Sequence, residues 1–293
     1  MPKPSNNKRT SYIRVLATVL VAVLFVGSCT RYAQKVFYNR LLVTFVVNRV
    51  DKFFDLNEQQ EAYLTKEVNR IKNWHKRTQM KLYAADIKEL RKRIKRGLKQ
   101  SDLNWLENRV VKHRKSLYLK VIPVASQFLT TVNKKQVDHM AKVLREQNAE
   151  LDKELKKSKR VRYRKRANKI IDRVENFTGD LTAGQKKKIL NHVDGLPDTV
   201  PAWLAYRRIK QKEFINILYK KPSKKQLTTL MQNYLLYQEK LFPKKFKKQC
   251  RQAYTSLLDV TLKVYPLLTK EQLKSLDEKL IEYQQLTSEL ARG

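Results

Sequence analysis

The sequence predicts an all-α protein, a bundle of about nine or ten amphipathic helices that follows an N-terminal signal peptide. Glycine and proline are scarce, at 6 and 8 of 293 residues, whereas the turns of a sheet protein draw heavily on them. Apolar residues recur at three- and four-residue spacing, as in Leu273, Leu276 and Leu280. Lys and Arg fill the intervening positions, which is the pattern of amphipathic helices that pack together.

Five predicted helix starts share one capping signature. A short polar residue accepts from a first-turn N–H, and a Gln three positions later reaches back to the N–H of that residue. The signature occurs at Asn57–Gln60, Asn133–Gln136, Thr182–Gln185, Ser223–Gln226 and Thr269–Gln272. Together with the apolar periodicity it predicts helices at 32–53, 57–80, 82–99, 102–131, 133–177, 182–192, 201–219, 223–240, 244–264 and 270–290. Pro123 should kink the fourth of these helices.

Two segments leave alternatives open. Leu41–Val47 is an apolar run rich in β-branched residues, which a buried strand would also show. Because no partner strand is in view, we interpret it as part of a first core helix, with contact to a membrane surface as the alternative. The loop-rich stretch from Gly179 to Pro201 makes a subdomain boundary near residue 180 plausible but does not require one.

Residues 1–28 have the three zones of an export signal. Four basic residues and no acidic ones come first, at Lys3, Lys8, Arg9 and Arg14. The apolar run that follows, 15–26, is 12 residues long, shorter than the roughly 17–25 residues that a membrane-spanning helix needs. We therefore expect a secretory signal peptide rather than a permanent transmembrane anchor.

The end of this signal resembles the lipobox of bacterial lipoproteins. The resemblance rests on Val26-Gly27-Ser28-Cys29, and it implies that the thiol of Cys29 is joined to diacylglycerol and further acylated, with palmitate as a typical chain. Cleavage would leave a mature domain of residues 29–293. Thr30 stands where enterobacterial lipoproteins retained in the inner membrane carry Asp, so the resemblance implies a lipid anchor in the outer membrane, facing the periplasm. The alternative is an ordinary signal peptide that ends near a cysteine.

The mature chain is strongly basic. The formal charge of +37 falls to +33 when cleavage removes the four basic residues of the signal. A charge of +33 is far beyond what solubility needs. Candidate anion-binding residues form one dense cluster: Lys156, Lys157, Lys159, Arg160, Arg162, Arg164, Lys165 and Arg166. Two further clusters occupy positions 88–99 and 244–248. We expect a partner such as lipopolysaccharide, phospholipid headgroups or peptidoglycan. Export makes nucleic acid an unexpected partner, and solvated helix faces are the alternative.

No catalytic arrangement is visible in the sequence. The four histidines are scattered without metal-ligand spacing, and there is neither a glycine-rich phosphate loop nor a Gly-x-Ser-x-Gly turn. We therefore predict a protein that is not an enzyme and that has no cofactor and no metal. Cys250 follows several lysines that would favour a reactive thiolate, but we interpret it as a small apolar residue on a helix.

A further set of motifs consists of Tyr38-Asn39, Phe53 to Gln60, Trp74-His75-Lys76-Arg77, Tyr83, Trp203 and Arg207. These motifs resemble an uncharacterised family of proteobacterial lipoproteins. The resemblance implies localisation and fold but no activity. It departs at Met80-Lys81, where the family often has Leu-Pro, and a helix that continues through this point is the alternative to the two helices predicted at 57–80 and 82–99. A weaker similarity to the periplasmic chaperones Spy and CpxP, at Leu181-Thr182-x-x-Gln185 and Leu268-Thr269-x-x-Gln272, makes a chaperone role the alternative function.

Overall fold

The structure is a computed structural model that describes residues 31–292, and these residues contain helices and no strand. The first helix, α1, consists of Arg31–Val36, a π-helical turn at Phe37–Leu41, and Leu42–Phe54. The other nine are α2 (Glu58–Lys95), α3 (Gln100–Thr130), α4 (Lys134–Lys156), α5 (Lys159–Thr178), α6 (Ala183–Asp194), α7 (Val200–Tyr219), α8 (Lys224–Leu235), α9 (Lys244–Val264) and α10 (Lys270–Arg292). The all-α bundle of about ten helices is therefore confirmed.

Several predicted helix boundaries were wrong. The helices expected at 57–80 and 82–99 are one continuous helix, α2. The single helix expected at 133–177 is divided, because Lys157 is extended and the Ser158 hydroxyl caps the next helix by accepting from the Val161 N–H at 3.4 Å. The helix expected at 223–240 ends at Leu235, and a 3₁₀ turn follows. The segment 41–47 is helical, as we interpreted it.

Helix α2 is the spine of the bundle. It packs against α1, α3 and α10, and Arg91 of α2 binds Asp277 of α10 with a 2.7 Å ion pair. One apolar cluster joins α1, α2, α3, α4, α7 and α8, around the fully buried Leu227. A second, separate cluster joins α5, α6 and α9 around Ile189 and Val193. Burying a side chain of this size contributes about 1.5–3 kcal/mol, so these clusters hold the helices together.

All five predicted capping boxes are present. Four of them meet in pairs, which the sequence did not predict. Gln60 and Gln136 exchange two amide hydrogen bonds, of 3.1 and 2.6 Å, in a buried position. Gln185 and Gln272 exchange an equivalent pair, of 2.8 and 3.0 Å. The Gln226 side chain of the fifth box is exposed.

The two glutamine pairs are built in the same way. Each Gln also donates to the backbone carbonyl that lies two residues before its partner's capping residue. Those acceptors are Thr131, Asp55, Leu267 and Asp180, at 3.1, 3.0, 2.7 and 2.8 Å. The first pair therefore ties the start of α2 to the start of α4, and the second ties the start of α6 to that of α10. The fold therefore contains the same buried arrangement of paired glutamines at two places.

Candidate functional site

The predicted lipid-attachment residue, Cys29, and the signal peptide lie outside the described residues. Within residues 31–292, no helix has both the length and the apolar character needed to cross a membrane. The same residues contain no group of His, Cys, Asp and Glu side chains that could hold a metal ion.

The dense basic cluster begins at the end of α4 and continues along α5, where it divides into two kinds of residue. Half of it supports the fold: Lys157 and Lys165 bind Glu154 at 2.7 and 2.9 Å, and Arg162 binds Asp198 at 2.5 Å. Arg166 donates to the carbonyl of Pro197 at 3.3 Å. These contacts fix the turn between α4 and α5 and attach α5 to the loop that precedes α7.

The other half of the cluster faces solvent. Lys156, Arg160 and Arg164 are exposed, and none of them has an acidic partner among the ion pairs of residues 31–292. Lys159 is exposed as well and stands over the ring of Tyr163, with its Nζ 5.2 Å from the ring centroid. These four side chains are available to an external anion.

One of these four side chains, Lys159, lines an open cleft of about 500 Å³. The start of α5 contributes Lys159 and Tyr163, and α9 contributes Gln252 and Ser256. The loop at 195–198 forms its floor. Asp198 also lines the cleft, but the guanidinium of Arg162 neutralises its charge at 2.5 Å, so the cleft is not closed to anions. The Tyr163 hydroxyl donates to the Leu196 carbonyl at 2.7 Å and holds the loop in place.

The third predicted basic cluster lies beside the same cleft. Lys245 and Lys248 precede Gln252 on α9 by seven and four residues, which places all three on one face of the helix. Both lysines are exposed. The two clusters, 78 residues apart in sequence, therefore lie on α5 and α9, the two helices that line the cleft. The cleft, together with the exposed basic residues of these two helices, is the candidate site.

Four residues of the second predicted basic cluster, at 88–99, have a structural role. Arg93 and Arg96 bind the buried Asp102 at 2.9 and 2.6 Å, and Arg91 and Lys95 bind Asp277. Burial opposes ionisation of Asp102, but the Lys99 N–H and the two arginines outweigh it and lower its pKa. These four bases join α2 to α3 and α10. Lys88, Lys92 and Lys99 are exposed and have no acidic partner among the ion pairs of residues 31–292. No residue of the cluster lines the cleft, so the cluster is not part of the candidate site.

A buried chain of aromatic and histidine side chains was missed by the sequence analysis. His75 Nδ1 lies 2.9 Å from the Tyr38 hydroxyl, and its Nε2 lies 3.0 Å from the Tyr83 hydroxyl. The Tyr83 ring meets His113 edge-on at 4.6 Å, and His113 Nε2 is 2.5 Å from Asp86 Oδ2. Two of the four histidines, described above as scattered, therefore converge. In the sequence, the only signal for this cluster is the set of family motifs, which includes Tyr38, His75 and Tyr83.

Burial sets the protonation of this chain. It lowers the pKa of His75 to about 4, with a smaller contribution from the charge of His113. It also lowers the pKa of His113, although Asp86 acts in the opposite direction. The pKa values of Tyr38 and Tyr83 are raised, mainly by burial. The two histidines and the two tyrosines are thus neutral, and Asp86 is also paired with Arg109 at 2.7 Å. The chain joins α1, α2 and α3, which is a structural role.

Cys250 is a buried apolar residue, as we interpreted it. It is 2% exposed and packs in a cluster with Tyr206, Phe242 and Phe246. Burial, and then the charge of Glu239, raise the pKa of its thiol to about 11. The neighbouring lysines do not produce a thiolate.

Comparisons with known proteins identify a family but no activity. A family model described as a family of unknown function, DUF6279, matches residues 52–247. No curated protein matched the sequence. No solved structure matched it either.

Proposed function

We propose that this chain, which belongs to the DUF6279 family of unknown function, is a lipid-anchored cell-envelope protein of non-enzymatic binding type. In this proposal Cys29 carries the lipid in the outer membrane, and the domain binds an anionic envelope component. The shared chemistry of the ligand is a dense array of phosphate or carboxylate groups. Lipopolysaccharide, anionic phospholipid headgroups and peptidoglycan are its possible sources.

One observation carries the proposal. The chain has 64 Lys and Arg residues against 27 Asp and Glu residues, so most bases have no acidic partner to pair with. Where acids are close, as at Asp102 and Asp277, the bases form ion pairs that stabilise the fold. Around the cleft between α5 and α9 they are exposed. Like charges held together repel each other, and an anionic ligand relieves that repulsion.

The first experiment tests in which compartment the protein resides. Mass spectrometry of the native protein should find a mature N-terminus at Cys29 with acyl chains on it. An intact N-terminus that begins at Met1, recovered from the cytosol, would remove the envelope partner and make nucleic acid the first candidate.

Anion binding is tested on the mature chain with Cys29→Ser, so that lipid does not contribute. It should bind vesicles containing anionic lipid and not zwitterionic ones, with affinity that falls as salt rises. Each basic residue at such a surface contributes about 1 kcal/mol. Losing two should therefore weaken binding about 30-fold, and Arg160→Glu with Arg164→Glu should reach at least that.

The matched control is Lys66→Glu with Lys115→Glu. These two exposed lysines lie on α2 and α3, and the double variant has the same net charge as the α5 variant. Equal losses in the two variants would mean that total charge, and not the α5 cluster, drives binding. Competition by lipopolysaccharide and cosedimentation with purified peptidoglycan distinguish the three sources of anions.

The chaperone alternative makes a different prediction, which is suppression of client aggregation independent of salt. Both Leu-Thr-x-x-Gln motifs serve as capping boxes whose glutamines pair with each other. Asn57 and Asn133 begin boxes that form an equivalent pair. The motifs are thus explained by helix capping, without a client.

A further inference from the structure

The outer face of α1 carries apolar side chains that no helix of the described chain covers. Leu42, Val43 and Val47 point into the core, whereas Leu41 is 52% exposed and Phe45 is 44% exposed. Phe37 is half-buried and packs against the core cluster of Tyr38 and Tyr283. Its ring meets that of Phe45 edge-on at 5.7 Å, so Phe37 supports an exposed apolar strip formed by Leu41 and Phe45. The apolar run at 41–47 therefore faces both the core and the outside.

The π-helical turn helps to create this strip. The Leu42 N–H donates to the Phe37 carbonyl, five residues back, and the wider turn changes the angular register of the helix. Tyr38 is fully buried on one side of the turn, and Leu41 is exposed on the other. α1 can therefore satisfy the core contacts of Tyr38 and still present Leu41 outward.

Basic residues surround the strip. Arg40 adjoins Leu41, and Arg49 lies one turn beyond Phe45; both are exposed. From residue 30 to residue 50 the sequence contains no acid. An apolar strip with a cationic border suits an anionic lipid surface, where apolar side chains enter the interface and Lys or Arg contacts the headgroups.

The position of the strip in the chain points to the same occupant. Arg31 and Lys35 bind Glu289 of α10 at 3.2 and 3.3 Å, which fastens the first turn of α1 to the bundle. Only two peptide bonds separate Arg31 from Cys29, a reach of about 7 Å. A lipid on Cys29 would hold the start of α1 at the membrane surface.

We propose that α1 docks on the bilayer, with Leu41 and Phe45 inserted at the headgroup boundary and Arg40 and Arg49 on anionic headgroups. This rests on the proposed lipid anchor at Cys29 and adds an orientation to it. The bundle lies against the membrane along α1 and does not hang from a flexible tether.

The test places an environment-sensitive fluorophore on single cysteines in the acylated protein. The substitutions are Leu41→Cys and Phe45→Cys, each combined with Cys250→Ala, and the protein is reconstituted in vesicles that contain anionic lipid and a nitroxide-labelled lipid. Ile209→Cys is the matched control, because Ile209 is an apolar side chain on α7 that is 56% exposed. Far-ultraviolet circular dichroism checks that each variant is folded.

We expect roughly twofold quenching at positions 41 and 45, since interfacial helices place their apolar face about 5–10 Å into the headgroup boundary, and little quenching at 209. Adding Arg40→Glu and Arg49→Glu should reduce the quenching at 45. A blue-shifted probe that nitroxide lipid does not quench would overturn the inference in favour of a second copy of the chain. Acylated, vesicle-bound protein with equal signals at all three positions would also overturn it, and would leave the anchor proposal standing. Protein without acyl chains that stays in solution would defeat both.

Discussion

Replacing Gln60 by Met should destabilise the protein by about 2–4 kcal/mol, whereas the same replacement at Gln226 should cost about 1 kcal/mol or less. Both glutamines reach back to the N–H of a capping residue, at 3.3 Å for Asn57 and 2.8 Å for Ser223. Both changes remove that one hydrogen bond. Met resembles Gln in length, so neither change opens a large cavity.

The difference comes from what each glutamine leaves behind. Gln60 is 4% exposed and Gln136 is 5% exposed. Loss of Gln60 leaves one N–H of the buried Gln136 amide without its acceptor and removes a donor from the carbonyl of Thr131. A buried polar group without a partner costs about 1–3 kcal/mol. Gln226 is exposed, so water replaces what it loses. The difference between the two variants in lost unfolding free energy therefore measures how much the buried glutamine pair stabilises the fold.

A double-mutant cycle in urea measures this value directly. Gln60→Met with Gln136→Met removes both amides, so the double variant should be less unstable than the sum of the single variants by about 1–2 kcal/mol. Gln185 and Gln272 should give the same coupling. Additive effects, or equal losses at Gln60 and Gln226, would refute the idea that the paired glutamines brace the fold.

Two further predictions concern buried titratable groups. Burial lowers the pKa of His75 to about 4, below the value of about 6.5 in the unfolded chain, so stability is complete above pH 6.5 and is lost as pH falls from there towards 4. The loss between pH 7.5 and pH 5 should be about 2 kcal/mol. His75→Gln should reduce this dependence in urea unfolding measured at both pH values, whereas the equally buried Leu227→Ala should keep it; an unchanged dependence in His75→Gln would contradict the assignment. Cys250, buried and with its pKa raised to about 11, should react with a maleimide only when the acylated protein is unfolded, and rapid modification of the native protein would show that the thiol is accessible.

Local sequence signals predicted the helices well and their partners poorly. The capping boxes gave correct starts for α2, α4, α6, α8 and α10, because a cap and its Gln interact within one turn of the chain. The break at Ser158 was missed because charged residues with good helix propensity stand on both sides of it. The amide pairs were missed because Gln60 and Gln136 are 76 residues apart, and spacing along the chain says nothing about such contacts.

The same limit explains the fate of the basic clusters, and it bears on where a ligand should be sought. In sequence, 88–99 and 156–166 look alike. Within each run, the roles of the residues differ because of single acids that folding brings in, as Asp277 is brought to Arg91 across 186 residues and Asp198 is brought to Arg162. A basic run becomes structural where a buried or distant carboxylate meets it, and it stays available where none arrives. Arg160 and Arg164 are of the second kind. If an anionic partner exists, charge reversal at those two positions should therefore affect binding more than stability, and charge reversal at Arg91 should affect stability first.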